Sequence, residues 1–190
     1  CGSLAKGKKA LKPLREFGPP AADLMQPRSY IEMQSLLDES WPPFGRLHYW
    51  KASFLPVLSE DAIEILVRFS AAMPSPLSFV VLQQVHGAAS RVDPTATAFP
   101  HRAEQYSFEI LAQWADPADT EKNIRWAREF WEAMQPFERG VYVNDLGDET
   151  DDRIRAAYGV NYDRLAALKA KYDPTNFFRL NQNVRPASQS

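Results

Sequence analysis

Fifteen prolines in 190 residues constrain this chain more than any other feature, because most of them fall at the joints between apolar stretches. Proline has no N–H to donate and pushes the preceding residue out of the helical region, so it ends a helix. Gly18-Pro19-Pro20, Trp41-Pro42-Pro43, Pro74 with Pro76, Pro136 and Asp173-Pro174 therefore cut the chain into short elements. Between the stops the helical pattern recurs. Leu4 to Phe17 forms a first stretch, which Pro13 should kink or divide. Ser29 with Glu32 makes a capping box before Ile31, Met33, Leu36 and Leu37. A helix from Ser59 buries Ala62, Ile65, Leu66 and Phe69, and Asp116-Pro117 opens one that buries Ile124, Ala127, Trp131 and Met134. Asp151 to Tyr158 is a helix closed by Gly159, and a last helix begins near Asn161.

The remaining runs are strands. His48 to Leu55 is short and aromatic; Leu77 to Val85 is nearly all apolar and should lie inside a sheet, covered on both faces. In Tyr106 to Trp114 the residues Tyr106, Phe108 and Ile110 fall on one side, and Ser107, Glu109 and Leu111 on the other. Gly140 to Asn144 reads as one more short strand, followed by a polar loop. The expected class is α+β: an antiparallel sheet with helices packed on one face, plus a C-terminal helical segment.

Composition narrows the function. With 45% apolar residues this is an ordinary globular chain, and 22 basic against 24 acidic residues leave no field to attract nucleic acid or anionic lipid. The run Lys8, Lys9, Lys12 and Arg15 is a solvated helix face. One cysteine, Cys1, builds neither a disulfide nor a cysteine metal site, and His48, His86 and His101 lie scattered, with His101 expected to fix a turn; no metal is expected. No apolar run would span a bilayer and no secretory signal opens the chain, so the expectation is a soluble protein, cytoplasmic by default. No Gly-x-Ser-x-Gly, Cys/His pair or phosphate loop supports hydrolase chemistry. The start at Cys-Gly-Ser suggests that residues upstream are lost or omitted, and Ala187 to Ser190 look frayed.

The most specific signal is Tyr158-Gly-Val-Asn-Tyr-Asp-Arg-Leu165, then Leu168 to Phe178 with Tyr172-Asp-Pro-Thr-Asn176 inside it, then Asn181-Gln-Asn-Val-Arg-Pro186. It resembles the carboxy-terminal signature of the berberine bridge enzyme family. Phe99-Pro-His-Arg102 followed by Tyr106 and Trp114, and Tyr142-Val-Asn144, resemble further family segments. Locally, Asp173-Pro174 stops a helix, Asn176 suits a turn, and Phe177 and Phe178 are expected to anchor the returning chain.

The resemblance implies two parts, a partial substrate-binding domain at 1–145 and a berberine-bridge-type segment at 146–190. It also implies FAD in the complete enzyme, held by an N-terminal FAD-binding module that this chain lacks, supplied by the same or a separate chain. This chain alone is expected to bind no cofactor. The implied activity is oxidation of a small-molecule substrate, an alcohol, sugar or amine. The alternatives are a truncated, non-catalytic relative serving as a binding or interaction domain, or a subunit pairing with a separate flavin module.

Flavin-linked oxidation needs a base to take the substrate proton. In the family that base follows the Pro-His-Arg segment, so Glu109 is the candidate, with a carboxyl raised by desolvation. The competing reading leaves Glu109 on a solvated sheet face. Tyr142 and Asn144 share strand parity and are the expected cofactor contacts. Tyr158 is either a phenolic proton acceptor or a helix-end packing residue. Many relatives carry a second tyrosine after this Asn; here Asp145 stands there, so a phenol cannot act.

Overall fold

The computed structural model describes residues 3–40, 42, 44–147, 151–180 and 182–187. Cys1, Trp41 and Pro43 of the expected stop, residues 148–150 of the polar loop, Asn181 and residues 188–190 of the tail lie outside them. By backbone proximity the chain divides into two units, Cys1–Phe44 and Gly45–Ser190.

In the first unit, helix α1 spans Leu4–Glu16 undivided. Pro13 sits in its last turns, where one absent N–H removes only one bond of the ladder. Helix α2, Tyr30–Gln34, starts with the expected capping box: Glu32 N–H donates to Ser29 Oγ at 3.2 Å, and Ser29 N–H donates to the Glu32 carboxylate at 2.6 Å. It is shorter than its pattern. Leu36 and Leu37 fall in the turn beyond it, since Ser35 closes the helix and serine competes poorly for helix interiors.

The second unit is built on three antiparallel strands, β1 (Leu47–Leu55), β2 (Phe79–Val85) and β3 (Gln105–Trp114), in the order β1-β3-β2. Helices α3 (Glu60–Ala71) and α4 (Thr120–Met134) cover one face. There Leu55, Phe108, Ile110 and Trp114 meet Leu66, Trp126, Phe130 and Met134, and Phe69 stacks on Phe130 with ring centroids 4.7 Å apart. Each such large apolar side chain contributes about 1.5–3 kcal/mol on burial. The α+β expectation holds, and so does the alternation along β3.

Two expectations fail here. β2 is an edge strand of the sheet and only half covered, with Leu82 exposed, so the central position belongs to β3. A continuous apolar run does not distinguish a doubly covered strand from one packed at an edge. In α4 the buried stripe is Asn123, Trp126, Ala127, Phe130 and Met134, while Ile124 and Trp131 are only partly covered. Asp116 caps the chain as expected, but Pro117 opens a 3₁₀ turn, Pro117–Asp119, whose tighter winding shifts the phase of the helix that follows.

The C-terminal residues use the opposite face at the β1 end. Helices α5 (Asp151–Tyr158) and α6 (Tyr162–Tyr172) form a second core with Ala52 of β1, through Ile154, Ala157, Tyr162 and Ala166 together with Val141 and Leu146. α6 stops before Pro174 and Asn176 turns at φ 54°, as the sequence leads one to expect. Phe177 and Phe178, however, are 71% and 76% exposed and pack on each other. The anchor is Asp173, whose carboxylate accepts from the N–H groups of Phe177 (2.7 Å) and Phe178 (3.1 Å) and from Lys169 Nζ.

Candidate functional site

The site begins where the chain leaves α4 and meets the free edge of β1. Arg139 N–H donates to the Phe54 carbonyl at 2.7 Å and Phe54 N–H donates to the Gly140 carbonyl at 3.0 Å. Gly140 adopts φ +79° with the His101 ring against it, where a β-carbon would come within 2.6 Å of Cε1. His101 is pinned in turn: its Nε2 donates to the Ala157 carbonyl of α5 at 3.0 Å, and its ring sits between Phe54 and Phe99. It thus ties two distant segments together, where a local turn was expected. Burial lowers the His101 pKa, outweighing its bonds to backbone, so the ring is neutral near pH 7.

The expected strand Gly140 to Asn144 does not extend. Asp145 N–H donates to the Tyr142 carbonyl at 3.0 Å, closing a 3₁₀ turn at Val143–Asp145, because Asn and Asp favour turns over ladders. Shared strand parity is lost, yet the turn brings the two predicted residues into direct contact: Asn144 Nδ2 donates to the Tyr142 hydroxyl at 2.7 Å. The Tyr142 ring meets Phe99 edge-on at 5.4 Å.

Glu109 lies on the central strand, opposite Ala52 on β1 and Val81 on β2, on the face turned away from α3 and α4. It is half-buried and accepts a long hydrogen bond, 3.4 Å, from Ser107 Oγ. The next row of the same face is Trp50, Leu111 and Phe79, giving the carboxylate an apolar border.

Asp145 is the residue that sequence reasoning passed over as a site. Burial first, and then the negative charge of Glu109, raise its carboxyl to about 6. Two acidic side chains from separate segments thus share one electrostatic environment. Its signal in the sequence was the departure itself, an acid in a turn where a second aromatic was expected. Tyr158, on α5, has its phenol pushed above the ordinary value by burial and by Tyr142, so it stays protonated at neutral pH and offers a donor.

These residues can hold a polar group and take a proton from it. Among the described residues the glycines do not form a phosphate cradle. Gly140 and Gly159 are filled by His101 and Pro100, and Gly45 and Gly87 are isolated open turns. The described glycines therefore do not fit the grip on a flavin pyrophosphate.

The berberine and berberine-like family profile matches residues 141–185, the stretch that carries Tyr142, Asn144, Asp145 and Tyr158. The chain is also 32% identical over 184 residues to the uncharacterized FAD-linked oxidoreductase YgaK of Bacillus subtilis, a match spanning 96% of this chain and 41% of that protein. By the profile and by sequence, this chain is similar to berberine bridge enzyme-like, FAD-linked oxidoreductases. Solved structures agree with the family fold. A glycopeptide hexose oxidase complexed with teicoplanin is 25% identical with a TM-score of 0.68, covering 75% of this chain and 33% of its own. A berberine bridge enzyme variant described as a reticuline dehydrogenase, 22% identical, shares the fold over 100% of this chain and 45% of its own, with a TM-score of 0.78. The chain thus spans about two fifths of the YgaK length, and YgaK is FAD-linked. Among the described residues no helix is long and apolar enough to cross a membrane.

Proposed function

We propose that this chain is the substrate-side portion of an FAD-dependent oxidoreductase acting on a small alcohol, sugar or amine, and that Asp145, paired with Glu109, takes the substrate proton. The observation that carries this reading is the raised Asp145 carboxyl, poised near neutrality beside a second acid. FAD, when bound by the remainder of the protein, supplies the acceptor for hydride.

This chain's own residues do the rest. Asp145, ionised above about pH 6, accepts the proton of a substrate hydroxyl or amine, and Glu109 keeps the carboxylate basic. Tyr158 donates a hydrogen bond to the substrate, and Tyr142, held by Asn144, orients against the cofactor. Trp50 and Phe79 border the site in the next row of the sheet. The sugar option draws support from the hexose oxidase, whose fold this chain shares. In this reading residues 1–145 form the partial substrate domain and 146–190 the segment that closes it.

The test is flavin reduction by a panel of alcohols, sugars and amines in the longer flavoprotein. Wild type should bleach with a rate that rises through about pH 6, and Asp145→Asn should slow that step by about 10²–10⁴-fold. An Asp145→Asn rate equal to wild type at all pH values contradicts the role. A chain that binds flavin in the longer protein but reduces it with no substrate would favour the non-catalytic alternative.

A further inference from the structure

Residues 139–147, which carry Tyr142, Asn144 and Asp145, follow directly on a buried ion pair. Glu138 stands just before them, and Arg153 lies on α5. Arg153 Nη1 donates to Glu138 Oε1 at 3.1 Å, and both side chains are largely buried, at 17% and 13% exposure. The second arm of the fork, Nη2, donates to the Ala52 carbonyl of β1 at 3.1 Å. The other Glu138 oxygen accepts from Ser53 Oγ, also on β1, and Trp131 Nε1 of α4 donates to that same Ser53 oxygen at 3.2 Å. The Arg153 guanidinium lies 5.2 Å from the centre of the Trp131 ring.

Ala52 is the residue paired with Glu109 across the sheet, so the fork of Arg153 is bonded to the backbone directly beside the candidate carboxylate. A buried pair of this kind gains little stability over an apolar substitute, because both charges lose water. What it supplies is geometry: a guanidinium can satisfy two acceptors in fixed directions, which a lysine cannot.

We propose that Glu138 and Arg153 form a positioning clasp, which fixes residues 139–147 on the β1 edge so that Asp145 keeps its place relative to Glu109. Its meaning for activity rests on the proton-acceptor role of Asp145. Neither clasp residue touches substrate; both act through the turn they fix. The charged group that acts on Asp145 is Glu109 from β3, while Tyr142 of the turn acts on Tyr158 of α5.

The test is a ¹³C NMR titration of the Asp145 carboxyl in this chain, with Asp145→Asn identifying the signal. Wild type should titrate at about 6. In Glu138→Gln and Arg153→Gln the turn loosens into water, and the midpoint should fall by about one pH unit or more. Arg153→Lys, which keeps the charge and loses the fork, should fall with them. Variants that keep their helical circular dichroism and cooperative unfolding while Asp145 still titrates at its wild-type midpoint would overturn the clasp. Should Arg153→Gln not fold, Glu138→Gln decides alone, since it preserves shape and the contact with Ser53. The titration needs neither flavin nor substrate. Its failure is therefore distinguishable from failure of the proton-acceptor role, which the Asp145→Asn reduction rate judges separately.

Discussion

Asp145, in the turn after Tyr142, and Glu109, in the middle of the central strand, are electrostatically coupled, and the charge of Glu109 adds to burial in raising the Asp145 carboxyl to about 6. The coupling joins the turn at Val143–Asp145 to the sheet. A fold that keeps an acid in this position does so at some cost to its own stability, and that cost has a pH signature.

The first prediction follows from linkage. A carboxyl raised in the folded state holds its proton more tightly there than in the unfolded chain. Below the ordinary value of 3.8 both states are protonated and Asp145 costs nothing. As pH rises from 3.8 toward about 6, the unfolded chain releases its proton first and stability falls. Above that window the loss is complete, about 1–2 kcal/mol once screening on the open side is allowed for. Asp145→Asn should therefore melt higher than wild type at pH 8 and equal to it at low pH, read as Tm against pH. A variant that melts lower at pH 8 would contradict the raised carboxyl.

The second concerns the order of causes. Since burial outweighs Glu109, Glu109→Gln should lower the Asp145 midpoint but leave it above 3.8. An NMR titration that returned the ordinary value would make Glu109 the main cause.

The third separates backbone strain from crowding. Gly140 and Gly45 both have positive φ, at 79° and 85°, but only Gly140 has a neighbour where its β-carbon would be, and that neighbour is held by a bond to Ala157 and by two aromatic rings. Gly45→Ala should cost about 1–2 kcal/mol. Gly140→Ala adds a displaced His101 ring and should cost about 2–4 kcal/mol. Equal losses in urea unfolding would show that His101 yields freely.

Much of the fold was legible locally. The capping box at Ser29, the cap at Ser59, the limits of α5 and the alternation in β3 depend on neighbours a few residues apart, which sequence displays directly. What failed depends on distant partners. Whether Leu77 to Val85 is central or an edge is decided by which strand pairs on both sides, and Gly140 to Asn144 turns because a short bridge to Phe54 ends at Gly140. The site divided in the same way. Glu109, Tyr142, Asn144 and Tyr158 were named from motif positions, and Tyr142 and Asn144 prove to be hydrogen-bonded partners. Asp145 was noticed only as a missing phenol, because its raised carboxyl arises from burial in the folded chain and from the distant Glu109. The pairing of Glu138 with Arg153 has no local pattern that would announce it.

The proposed substrate-side role, with the grip on FAD outside this chain, has a direct spectroscopic test. The most direct measurement is the visible absorbance spectrum of the purified chain, expressed alone and with whatever coding region precedes it. Flavin bands are expected only for the longer protein. A yellow protein from this chain alone, with flavin in stoichiometric amount, would contradict that role.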